Sequence, residues 1–130
     1  MQTVEKPRRS VWMYGYESEE PTEEQRRAYA REMSARLGVD IRPPPKPRLE
    51  DLRLRPPRVT PPGTVAEFSF QDTYERALHS HGGYRERALL GRFPNPPDVV
   101  AHPRSEQELE AVLEWCSKGG YAVIPYGGGS

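Results

Sequence analysis

A single cysteine, Cys116, leaves this chain without an internal disulfide, and nothing else in its composition points to an oxidising compartment. No apolar run approaches the ~18–20 residues that cross a bilayer. Arg8 and Arg9 are not followed by the hydrophobic stretch of a secretory signal. Excess charge of either sign is missing as well: 19 basic side chains balance 19 acidic ones, so no global field recruits nucleic acid or a membrane surface. These absences lead to the expectation of a cytoplasmic protein with no transmembrane segment and no nucleic-acid partner. Apolar residues are also scarce, at 35% against the ~45–50% of ordinary globular chains, an average that also counts glycine. Such a chain has little material for a core. It shows no internal repeat.

Proline, by contrast, is abundant, with 15 in 130 residues against an average of about 5%. Eight of these lie between Pro43 and Pro62, which disfavours long helices and central strands there. The composition therefore predicts a small ordered region attached to a long, extended, poorly packed one. Residues 42–58 also carry six basic side chains (Arg42, Lys46, Arg48, Arg53, Arg55, Arg58) against Glu50 and Asp51. A basic, Pro-rich strap suits a polyanion, but it suits a polyproline-like linker lying across a larger body better. Within it, "LEDLRL" is a candidate for short extended pairing.

Three further segments can be read locally. The cluster "VWMYGYE" (Val11 to Glu17) places bulky apolar groups close together, the usual mark of an anchor against a neighbouring surface; a ligand-stacking platform is the rarer alternative. A first helix begins with Thr22 as cap, Gln25 at the capping-box position and Glu23 and Glu24 at the positive end. Ala30, Met33 and Leu37 give it an apolar stripe, and Gly38 stops it. A second helix spans about Gln71 to His81, capped by Ser69 or Asp72, with Tyr74, Ala77 and Leu78 turned inward. His79 and His81 diverge on such a helix, and this reading finds no carboxylate or thiol at metal-ligand spacing beside them. No metal site is expected.

From Pro97 onward the pattern changes. "PDVVAHP" (Pro97 to Pro103) reads as a brief buried strand. Ser105 opens a helix, with Glu108 at the capping-box position. Leu109, Val112, Leu113 and Cys116 fall on one face, and Gly119 and Gly120 end the helix. Cys116 reads as a small core residue on that stripe. "YAVIPYGGGS" (Tyr121 to Ser130) then reads as a second strand running into glycines. Strand, helix and strand at this spacing predict a right-handed βαβ crossover with parallel strands. Ligands of open α/β sheets bind beyond the carboxyl ends of the strands, where "GGGS" falls. Glycines there let backbone N–H groups converge on phosphate oxygens, and a serine hydroxyl adds a donor. The motif is neither GxGxxG nor a P-loop, since no helix follows and the lysine is missing.

The segment "PDVVAHPRSEQELEAVLEWCSKGGYAVIPYGGGS" resembles the opening of the FAD domain in the vanillyl-alcohol-oxidase/p-cresol-methylhydroxylase superfamily. "IPYGGGS", "WMYGYE", the Pro-rich strap and "HSHGG…FPNPPDVV" are similar to its alkyldihydroxyacetonephosphate synthase branch. The resemblance implies an α+β chain in three parts. Residues 1–63 form an N-terminal helix and basic Pro-rich strap, 64–96 a helical connector, and 97–130 the start of a PCMH-type FAD-binding domain, incomplete at its βαβ unit. It further implies that Pro125, Tyr126, Gly127, Gly128, Gly129 and Ser130 begin the FAD pyrophosphate loop. FAD would be held non-covalently, because the loop has no histidine or cysteine placed to attach it.

Catalytic residues of the family lie in later segments, so none is assigned here. The expected function is that of an N-terminal fragment, inactive alone, of an FAD-dependent oxidoreductase or alkylglycerone-phosphate synthase-like transferase. Such a parent takes a small-molecule or lipid-like substrate. The alternative is a non-enzymatic interaction module whose basic strap binds a protein or nucleic acid; zero net charge and interspersed acidic residues count against it.

Overall fold

The computed structural model describes residues 6–80 and 86–129; His81 and Ser130 lie outside them. Helix α1 (Glu23–Leu37) begins as its sequence predicts. Thr22 Oγ1 accepts from the Gln25 N–H at 3.2 Å, and the Gln25 side chain accepts from the Thr22 N–H at 2.8 Å. It ends at Gly38, whose φ of 68° is the left-handed conformation that glycine adopts without strain. Its apolar stripe is thin: Ala30 is buried, Met33 half-buried and Leu37 exposed.

After the Pro-rich strap come α2 (Gly63–Ala66), β1 (Ser69–Phe70), α3 (Thr73–Leu78), α4 (Glu86–Leu89), β2 (Val100–Ala101) and α5 (Glu106–Gly119). Asp72, rather than Ser69, caps α3, its carboxylate accepting from the Glu75 N–H at 3.0 Å. The helix is shorter than the expected Gln71–His81. Ala77 and Leu78 are buried and Tyr74 is half-buried, as its periodicity requires. At α5, Ser105 accepts from the Glu108 N–H. The Glu108 carboxylate reaches one residue further back than a capping box, to the Arg104 N–H at 2.6 Å and its guanidinium at 2.8 Å.

The architecture is α+β, helices around a two-stranded sheet, and the pairing differs from expectation. β2 lies antiparallel to β1, with Ser69 opposite Ala101 and Phe70 opposite Val100. Tyr121 to Tyr126 has no sheet partner among the described residues, so the predicted parallel βαβ pair is not formed. The physical reason is the size of the ladder. β2 has two residues, prolines at 97 and 103 supply no N–H donors beside it, and β1 occupies one edge. A parallel pair also needs both faces covered.

Two apolar clusters hold the fold. In the first, Val11, Trp12, Leu52, Ala77, Leu78, Ala88 and Phe93 are buried, with Leu49, Leu54 and Tyr74 packed against them. Trp12 meets Phe93 edge-on at 6.3 Å. "VWMYGYE" is thus an anchor through Val11 and Trp12, while Tyr14 and Tyr16 stay exposed. It is shaped by a tight turn, in which Ser10 Oγ accepts from the N–H groups of Trp12 and Met13 and donates to Glu20. The second cluster joins Val65 and Phe68 to Val112 and Cys116 of α5.

The strap is not a passive linker. Leu49, Leu52 and Leu54 enter the first cluster, and Leu49–Asp51 forms a 3-10 turn in place of the expected extended pairing. Its cations face the chain's own acceptors. Arg55 and Arg58 both grip Asp98 (2.5 and 2.7 Å), Lys46 pairs with Glu20, Arg42 with Asp40, and Arg48 with Glu50 and Asp51. Arg53 donates to the carbonyls of Glu50 and Leu52. Arg76, only 4% exposed, ties the strap to the run before β2, donating to the Arg55 carbonyl at 2.6 Å and the Pro97 carbonyl at 2.7 Å.

Candidate functional site

A cleft of about 660 Å³ is lined by residues 6–9, by Tyr74, Glu75, Leu78 and His79 of α3 and its C-terminal cap, and by His102 just past β2. Each wall has a local cause. Glu75 and His79 are one helical turn apart, and the His79 N–H still bonds the Glu75 carbonyl, which places both side chains on one face. His102 arrives through the sheet: its N–H bonds the Phe68 carbonyl at 2.8 Å, extending the ladder by one residue. Arg8 closes the N-terminal side, stacked 4.1 Å over the Tyr74 ring and paired with Glu17 at 3.2 Å.

Inside the cleft, Glu75 Oε2 lies 2.8 Å from His102 Nε2 and 3.4 Å from His79 Nδ1. The two imidazoles meet edge-on at 5.6 Å. His79 Nδ1 is 2.8 Å from the Glu75 carbonyl oxygen. A carbonyl only accepts, so the proton sits on Nδ1 and the lone pair on Nε2. Burial pulls the His79 pKa below its ordinary value, against the opposing pull of the Glu75 carbonyl and carboxylate. The neutral ring therefore dominates at neutral pH.

The glycine loop borders the same cleft. The Tyr126 ring packs edge-on against His79 at 4.5 Å, and its hydroxyl donates to the Leu78 carbonyl at 3.4 Å. The N-terminal segment holds the loop by its carbonyls: Arg9 donates to Gly128 at 3.4 Å and Tyr14 to Gly129 at 3.2 Å. Gly129 has a φ of 73°, and a Cβ there would stand 2.1 Å from the Tyr126 hydroxyl, so its own surroundings require glycine. A Cβ on Gly127 or Gly128 would meet open space. Pro125 is exposed at the entry to the loop.

The structure thus brings Tyr126 and the loop glycines beside residues that sequence reading had not grouped with them. From the sequence, His79 and His81 diverge on a helix and no carboxylate is identified at metal-ligand spacing beside them. Glu75, four residues before His79, was the missed signal. His102 had no signal short of the β1–β2 pairing.

A helical chain with a small antiparallel sheet and a glycine loop against a histidine-lined cleft does not by itself define an activity. No family model matches the chain, and no solved structure matches it. Among curated proteins it is similar to alkyldihydroxyacetonephosphate synthase of Dictyostelium discoideum, 28% identical over 96 residues, covering 66% of this chain and 16% of that protein. The Trypanosoma brucei brucei protein of the same name is 34% identical over 62 residues, 45% of this chain and 10% of that one. Mitochondrial D-lactate dehydrogenase [cytochrome] of Arabidopsis thaliana is 32% identical over 65 residues, 50% of this chain and 11% of its own length. The similarity is weak and partial, and at most about a sixth of each relative is matched.

Proposed function

We propose that this chain supplies the beginning of the FAD-binding part of a longer, FAD-linked oxidase-type enzyme of the cytoplasm. Residues 97–130 would be the start of its PCMH-type domain, preceded by the 1–63 extension and the 64–96 connector. The observation that carries the reading is the partial similarity to the two synthases and the lactate dehydrogenase, taken with the loop Pro125, Tyr126, Gly127, Gly128, Gly129 and Ser130.

The loop residues are compatible with a pyrophosphate. Gly127 and Gly128 have open space where a side chain would stand, so the chain's own packing leaves their glycine identity unexplained. Close approach of a ligand to their backbone explains it. Arg9 and Tyr14, bonded to the carbonyls of Gly128 and Gly129, would orient the strand of peptide that carries those amides. Bound FAD would supply electron-transfer chemistry. The contribution of this chain would be to position its phosphates without a covalent link. The parent would act on a small-molecule or lipid-like substrate, by net oxidation or by alkyl transfer.

The test is the DNA beyond codon 130. A continuation into further strands and a second FAD subdomain is expected; coding sequence of no such kind in any frame overturns the reading. The purified 130-residue chain should retain no stoichiometric flavin absorbance, because two short strands cannot build the sheet that holds it. A yellow, stoichiometric complex would contradict this account.

A further inference from the structure

Independently of the flavin reading, we propose that Glu75, His79 and His102 form a binding site for one divalent transition-metal ion of the Zn²⁺/Co²⁺ type. One carboxylate oxygen and one nitrogen from each imidazole lie within 4.8 Å of one another. Ligand atoms around a tetrahedral ion sit roughly 3.3 Å apart, given metal–ligand bonds of about 2.0–2.1 Å. The Glu75–His102 separation of 2.8 Å is short of that by an amount that small side-chain rotations supply.

The ligand set argues for the class of ion. Two imidazoles and one carboxylate favour Zn²⁺, Co²⁺ or Ni²⁺ over Mg²⁺ or Ca²⁺, which take oxygen. The His79 nitrogen that faces the Glu75 carboxylate is Nδ1, at 3.4 Å; ligation through it replaces its hydrogen bond to the Glu75 carbonyl, whereas ligation through Nε2 keeps that bond as the outer contact that commonly orients a metal-bound imidazole. Three protein ligands leave a fourth position, which opens on the cleft. Lys6, Arg8 and Arg9 line the same cleft; Arg8 is paired with Glu17 and Arg9 donates to the Gly128 carbonyl, and the Arg9 charge opposes a cation at His79 by less than the Glu75 carboxylate favours one.

The placement has a sequence logic as well. Glu75 on α3 and His79 at its C-terminal cap share one face, and His102 is the first residue after β2. His102, the most exposed of the three, remains accessible to an entering ion.

The experiment uses the untagged full chain, stripped with a chelator and titrated with Co²⁺, read by its visible ligand-field absorption. One equivalent should bind and be displaced by Zn²⁺. His102→Gln and Glu75→Gln should each weaken binding by roughly tenfold or more with the circular dichroism spectrum unchanged. Failure to bind Co²⁺, or wild-type affinity in His102→Gln, overturns the proposal. X-ray absorption on the Zn²⁺-loaded wild-type chain needs no variant. A first shell with two imidazole nitrogens supports the site; a shell of oxygen alone, or one containing sulfur from Cys116, overturns it.

Discussion

The strap and α5 make an instructive pair. The strap is rich in proline, poor in apolar residues and free of periodicity, yet its leucines enter a core and three of its cations, Lys46, Arg55 and Arg58, are matched by acidic residues from distant parts of the chain. Helix α5 has a clear apolar stripe and proper termini, yet only half of that stripe is used. Val112 and Cys116 are buried, while Leu109 and Leu113 are 46% and 47% exposed, and Val123 and Ile124 beyond it are exposed too. Pattern therefore identified which residues could pack, whereas packing itself depended on which partners the chain brings within reach. Extended segments reach many neighbours; a helix face needs a surface of matching size.

The sharpest way to break this comparison is to remove the strap's anchor. Trp12→Ala should destabilise the chain by about 3–5 kcal/mol, read as a loss of cooperative thermal unfolding, because Trp12 fills the cluster that Leu52 and Phe93 enclose. A Trp12→Ala chain that melts like the wild type would mean that the strap is not seated there. Arg76→Ala should cost on the order of 3 kcal/mol, since two charge-assisted bonds from a buried guanidinium are lost. Chemical denaturation gives the value.

A third test is pH. Hydrogen bonds from Arg58, then from Arg55, hold the Asp98 carboxyl well below the ordinary carboxylate range, against the cost of its burial. A depressed folded-state pKa contributes stability that is fully present above the unfolded value, about 3.9, and is lost as pH falls below it. Stability should therefore drop below roughly pH 4, and Asp98→Asn should be less stable at neutral pH and flatter across that acid range. An unchanged acid limb in Asp98→Asn would show that the strap's clasp does not matter. The smallest effect belongs to the other half of the comparison. Leu109→Ser and Leu113→Ser should each shift stability by about 0.5 kcal/mol or less, because their side chains already meet solvent. A large loss in either would show that the outer face of α5 is covered in solution.

How much of this was legible depended on range. The termini of α1 and α5 could be read because Thr22, Gln25, Gly38, Ser105 and Gly120 act on backbone groups within one turn of themselves. Val11 and Trp12 declared themselves as an anchor by composition alone. The parallel βαβ unit did not appear, because periodicity reports which residues favour a strand and not which edge they meet. The glycine loop was visible as a motif, but its neighbours Arg9, Tyr14 and His79 were not, and neither was the grouping of Glu75 with His102.

The amino-acid sequence by itself determined the ends of α1 and α5, the scarcity of core and the backbone-rich character of residues 127–129, since each follows from interactions along a few consecutive residues. Only the tertiary structure decided that β2 lies antiparallel to β1 and that Glu75 meets His102, 27 positions away, and Leu78 meets Tyr126, 48 away. Contacts at such separations carry a loop-closure cost that no local preference repays. They lie where the buried clusters that contain Val65, Phe68, Ala77 and Leu78 hold the chain together.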